Sequence, residues 1–376
     1  MAENALNALM VKNGDENDFL TLSSLILQWH RRAMEPSGHI GSVMKEKLGS
    51  LYKKMPSLQD AAQKGCLMLV EIIYEMNGTQ EGFNTALQAA LEGRHSDVVT
   101  FLVNHGANVN ITGGQYGTPL HAAAAWGNLD VVKLLVQKGA IVNAAVEGSY
   151  ATALQQAAHS GHLNVVKFLI KKGAHVDAMS HNHETALQIS AWQKSWDVVQ
   201  FLTENGAYIN AIGGNGSALQ AASIVGDLDE VKFLVDNGAD VNLIGGQYGT
   251  ALQAAAAFGH LDVIKFLVEM GAKVDTAVEG DYVDALQRAA DGNSSCIDIV
   301  KFLVENGANL DIEGGKYGTA LQVATSQGHF DVVQFLVEQG ANVNAVGGEY
   351  GTALRAAWVT QRTDIANFLQ HNGATK

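Results

Sequence analysis

Nine stretches of this chain restate one another at a period near 33 residues, and that period limits the fold more than any other feature. The string Thr-Ala-Leu-Gln, or a near variant, starts at Thr85, Thr118, Thr152, Thr185, Ser217, Thr250, Asp284, Thr319 and Thr352. The spacings are 33, 34, 33, 32, 33, 34, 35 and 33 residues. Half a period later a second cluster recurs, as in FLVNHGANVN, FLVDNGADVN and FLVEQGANVN. A unit this short cannot bury its own apolar face, so each copy must stack on the next.

One copy, TALQAAAAFGHLDVIKFLVEMGA, shows how it folds. Leu252, Ala255 and Ala256 share one face of a short helix. Thr250 is placed to cap that helix, and Gly259 to end it with a positive φ. A second helix follows, with Val263, Ile264, Phe266 and Leu267 expected inside, and Gly271 stops it. Small alanines on one helix and large residues on the other let the pairs stack into a solenoid.

Those residues carry a family resemblance. Thr118-Pro119-Leu120-His121 spells the T-P-L-H opening of the ankyrin repeat, whose period is 33. The other copies write Thr-Ala-Leu-Gln, keeping the cap and the leucine but dropping the Pro and His. The family's Gly-His stands at Gly161-His162, Gly259-His260 and Gly328-His329. The resemblance covers residues 85–376 clearly and residues 56–84 weakly. It implies an all-α ankyrin-repeat solenoid, with about nine clear repeats plus one degenerate N-terminal repeat. The connecting Gly-Gly-x-Tyr-Gly segments become hairpin fingers, and the wording resembles arrays abundant in filamentous fungi. Such arrays often sit behind a nucleotide-binding domain, but here Gly315-Lys316 is followed by Tyr317, so no phosphate loop is formed.

Two domains are expected, residues 1–55 and 56–376. The first does not repeat. Phe19, Leu22, Ile26, Trp29 and Ala33 fall at helical spacing, as do Val43, Met44, Leu48, Leu51, Tyr52 and Met55, with Glu35-Pro36-Ser37-Gly38 between them. This predicts a helical hairpin that caps the array or recruits a partner.

Composition narrows the function. Lys+Arg number 24 against 38 Asp+Glu, a net charge of −14 that repels phosphate backbones and argues against nucleic acid as a partner. No run of 18 apolar residues and no secretory leader is visible, which predicts neither membrane nor export but a cytoplasmic or nuclear site. Cys66 and Cys296 show no disulfide or metal spacing.

The repeats also supply an internal comparison. In the ankyrin fold the two residues before the helix-ending Gly lie on the concave surface, so the resemblance places Trp126, His159, Trp192, Ile224, Val225 and Phe258 there. Grouped apolar and aromatic side chains are the usual anchors of a binding patch; the structural alternative is that Trp126 and Phe258 pack sideways between helices. Tyr116, Tyr150, Tyr248, Tyr282, Tyr317 and Tyr350 mark the fingers, where stacking between neighbours is expected. The two central fingers, carrying His183 and Asn215, break the row. Tyr150, His159 and His183 therefore join the expected site, centred on residues 150–260. Arg288, close in sequence to Asp281 and Asp284, predicts a salt-bridge network, and Asp291-Gly292-Asn293-Ser294-Ser295-Cys296 a bulge.

These readings favour a non-catalytic scaffold that holds a protein partner with a basic or apolar surface in the concave groove. No cofactor, no metal site and no catalytic motif is expected, and His121, His162, His260 and His329 match structural positions. The alternative is a small-molecule-binding protein or an unconventional enzyme, cyclase- or isomerase-like, with a pocket around residues 150–260. His159 and His183 would then be the acid–base candidates.

Overall fold

The computed structural model describes residues 57–77, 82–148, 150–292 and 296–375. The expected hairpin over residues 1–55 lies outside them, as does the centre of the bulge at 293–295. Twenty helices in ten antiparallel pairs make up the described chain, running from Leu58–Gln63 and Leu67–Asn77 to Ala353–Val359 and Thr363–His371. The contacts divide them into two compact units. One holds the described residues up to Glu147 with Thr152–Ala157 and Asn164–Ala174; the other holds Gly148–Ala151, Ala158–Leu163 and His175 onward. Repeats are numbered here from Thr85, so that Thr185, Ser217, Thr250 and Asp284 open repeats 4 to 7.

Repeat 6 shows the local logic. The Thr250 hydroxyl accepts the Gln253 backbone N–H at 3.2 Å, while Gln253 Oε1 accepts that of Thr250 at 2.9 Å. This capping box satisfies donors that the first turn leaves open. Helix Ala251–Phe258 then ends at Gly259, whose φ of 80° suits a residue without a Cβ. Leu252, Val263, Ile264 and Leu267 are fully buried between the pairs. Phe266, expected inside as well, is only half-buried. Its ring faces the Lys232 ammonium of the preceding repeat, 6.0 Å from the centroid.

The glutamine of Thr-Ala-Leu-Gln has a second task. Gln253 Nε2 donates to the carbonyls of Thr276 and Val283, in the following finger, at 2.7 and 3.1 Å. Gln188 donates to Ala211 and Gly216, Gln287 to Ile312 and Gly318. An amide carries an acceptor and two donors, so one side chain closes its own helix cap and holds the next finger. His121, in the T-P-L-H copy, instead pairs its Nδ1 with Thr118 Oγ1 at 2.7 Å.

Other seams run beside it. Asn242 accepts the Lys273 N–H at 2.8 Å and donates to the Gly271 carbonyl at 3.1 Å. His260, the Gly-His histidine, donates from Nε2 to the Ile224 carbonyl of the repeat before at 2.9 Å. Fingers also approach closely: a Cβ on Gly246 would strike the Asn215 carbonyl, and its φ is +59°. Stability therefore resides in repeat-to-repeat contacts rather than in any single copy.

Candidate binding surface

In the second unit, finger tyrosines lean onto the ends of the helices that follow them. The Tyr150 ring stacks on His159 with centroids 4.3 Å apart, its hydroxyl 3.4 Å from Nε2. Tyr248 meets Phe258 edge-on at 5.3 Å. The Tyr282 hydroxyl bonds Asp291, and burial followed by that bond raises its pKa. Asp291 in turn accepts Gln327 Nε2 at 2.6 Å. The expected stacking between neighbouring fingers occurs at Tyr282 and Tyr317, with centroids 5.4 Å apart. Tyr150 and Tyr248 have turned to their own helices instead.

Arg288 does not form the expected salt bridges. Its guanidinium lies between Tyr248 and Tyr282, 5.4 and 5.8 Å from the ring centroids, and Nη2 donates to the Gln247 carbonyl at 3.3 Å. No ion pair involves it among the described residues. The reason lies with Asp284, which accepts the Gln287 N–H at 2.8 Å as cap of the same helix. Burial pushes the Asp284 carboxyl up to about 6. Phe258, Tyr248, Arg288, Tyr282 and Asp291 thus form one packed wall over repeats 6 and 7.

That wall stops at repeats 5 and 4. His183 and Asn215 occupy the tyrosine positions of their fingers, and neither makes a ring contact with a helix end among the described residues. His183 is exposed, has a φ of +58° and makes no side-chain hydrogen bond among the described residues. Next to it, Glu184 takes a place held by Gly249, Val283 and Gly318 in other repeats. It is 6% exposed and accepts Asn215 Nδ2 at 2.6 Å, while the Asn182 carbonyl accepts the Gly214 N–H at 3.1 Å. These bonds join the two central fingers through polar groups rather than rings.

Trp192, Ile224 and Val225, at the ends of the helices of repeats 4 and 5, are half-buried. Trp192 Nε1 is buried with no hydrogen-bond partner among the described residues, and so is His159 Nδ1. Burial lowers the His159 pKa, which favours neutral imidazole. Burial, and then the Glu184 charge, raises that of Tyr150. Lys194, two residues past Trp192, holds a φ of +59° where repeats 2, 3, 5, 6 and 8 place glycine, and Arg94 and Gln361 hold the same conformation in repeats 1 and 9. Left-handed backbone is costly for a residue with a Cβ.

Of the residues expected in the site, the structure joins Tyr150 to His159 and gives Phe258 a tyrosine neighbour. Phe258 is not sandwiched between helices: it stays 46% exposed. His183 and His159 share no hydrogen bond among the described residues. Trp126, half-buried, ends helix Pro119–Trp126 and belongs to the first unit. Glu184 and Asn215 are not among the expected site residues, though the repeat columns mark both as departures. Among the described residues no group of three His, Cys, Asp or Glu is placed to hold a metal ion, and no helix is long and apolar enough to cross a membrane.

A family model described as ankyrin repeats in three copies matches residues 58–146, 141–213 and 286–376. A second, described as ankyrin repeats in many copies, matches residues 218–268. No curated protein matches the chain.

Proposed function

The chain belongs to the ankyrin-repeat family, a class of protein-interaction modules, and from that premise we propose that it is a non-catalytic scaffold whose partner enters the gap at repeats 4 and 5. One observation carries this reading. Tyrosine–helix-end pairs stand at Tyr150–His159 and Tyr248–Phe258, and between them the helix ends of Trp192, Ile224 and Val225 have no finger tyrosine. At about 10 Å per helix-to-helix step the gap is roughly 20 Å wide. That length takes about six residues of an extended segment.

Charge favours a basic partner. Residues 175–341 contain 22 acidic and 7 basic side chains, enough to account for the whole net charge. A positive surface is steered toward such a field, and the effect weakens as salt screens it. The half-buried apolar floor of Trp192, Ile224 and Val225 supplies the anchor.

A photo-crosslinking analogue tests the reading: benzoylphenylalanine at position 258, with position 346 as an exposed control. The scaffold reading expects a protein adduct at 258 and none at 346. A small-molecule reading is favoured only by the His159 ring stacked on Tyr150, and it expects no protein adduct at either position.

A further inference from the structure

On the second helices of the repeats, one core position is filled by Val198, Val263 and Ile299, each at most 1% exposed. In repeat 5 the same position holds Glu230. It is 7% exposed, Oε1 accepts Gln200 Nε2 at 3.1 Å, and Oε2 is buried with no hydrogen-bond partner among the described residues. A half-satisfied carboxylate in an apolar slot is costly unless something completes it.

The neighbouring repeats indicate what is missing. Lys232 stands over Phe266, Lys265 over Phe302 and Lys301 over Phe335, each ammonium 5.9–6.0 Å from the ring of the next repeat. One step earlier in this series the lysine position is Gln200 and the ring is Phe233. No lysine or arginine faces Phe233 among the described residues. Asp227 and Asp229 add negative charge beside Glu230, and with burial, the larger cause, they raise its pKa. An aromatic face, a carboxylate oxygen without a donor and a local excess of negative charge converge where the series lacks its cation.

We propose that the slot formed by Gln200, Glu230 and Phe233 binds a primary alkylammonium, the side chain of a lysine on a partner protein. The ammonium takes the place that a lysine of the array fills elsewhere, over the Phe233 ring and donating to Glu230. This surface lies on the second helices and does not rest on the gap at Trp192.

The test follows the Gln200 side-chain amide by NMR, assigned with Gln200→Ala. N-acetyl-lysinamide should shift it saturably at low salt, and neutral N-acetyl-norleucinamide should not. The response should vanish in Glu230→Val, a variant that restores the residue type of the other repeats and so keeps the fold. Equal response to norleucinamide, persistence in Glu230→Val, or no response at all overturns the proposal. A response to spermidine at tenfold lower concentration overturns the assignment to a partner's lysine in favour of a free polyamine. A second arm needs no added ligand. Gln200→Lys should raise the Tm of the wild-type chain but not of Glu230→Val, and failure to raise it shows that the slot does not accept an ammonium.

Discussion

Gln188 Nε2 donates 2.6 Å to the Gly216 carbonyl, from the first helix of repeat 4 to the finger leading into repeat 5. The same side chain accepts the Thr185 N–H at 2.8 Å and reaches the Ala211 carbonyl at 3.1 Å. Replacing it with alanine strands the Thr185 N–H and the Ala211 carbonyl and leaves the Gly216 carbonyl only the Gly213 N–H at 3.3 Å. Gln188→Ala should therefore cost about 2–6 kcal/mol, since each of the two orphaned groups costs roughly 1–3 kcal/mol. Urea unfolding checks this, and a midpoint equal to wild type would show that water replaces the amide.

Buried and exposed apolar residues of repeat 6 should separate cleanly. Leu252 is fully buried, so Leu252→Ala should cost about 2–5 kcal/mol. Phe258 is 46% exposed and loses mainly its contact with Tyr248, so Phe258→Ala should cost about 1 kcal/mol. Thermal melts of the two variants side by side make the comparison.

Lys194 occupies left-handed backbone with a φ of +59°. Glycine adopts that conformation without a Cβ clash worth roughly 1–2 kcal/mol, less the entropy it loses on folding. Lys194→Gly should raise stability by up to about 1 kcal/mol. A lower urea midpoint would mean that the lysine side chain contributes more than its backbone costs.

Asp284 gives the array an acid-side dependence. Its folded pKa of about 6 lies above the ordinary value of 3.8, so the folded state holds the proton more tightly than the unfolded one. Its contribution is fully present below about pH 4 and is lost as pH rises through about 6. Asp284→Thr, which restores the usual cap residue, should gain stability at pH 7 relative to pH 4. An unchanged pH profile on denaturant titration would contradict this.

The repeat period, the caps at Thr250 and Gly259 and the buried Leu252 were all legible in the residues, because each rests on a short-range rule repeated along the array. Phe266 departed from expectation because a cation from the preceding repeat can cover a ring as well as a core can. The Arg288 stack was hidden for a different reason: the capping role of Asp284 decides where its carboxylate points, and sequence proximity to an arginine does not. Likewise the break at His183 and Asn215 was visible as a pattern, whereas the turn of Tyr150 onto His159 that gives it meaning depends on side-chain direction. Glu230 stood in plain view in its column, but its significance required the Lys–Phe series beside it.

The most direct measurement of the scaffold reading is affinity purification from native lysate at low salt, with three chains run in parallel: wild type, Val346→Ala, and Trp192→Ala combined with Phe258→Ala. Mass spectrometry of protein and small molecules reads the eluates, and a helical melt verifies that all three are folded. The gap at repeats 4 and 5 calls for a protein retained by the first two chains and lost from the third. The same protein on all three chains, or a retained small molecule with no protein, would contradict it.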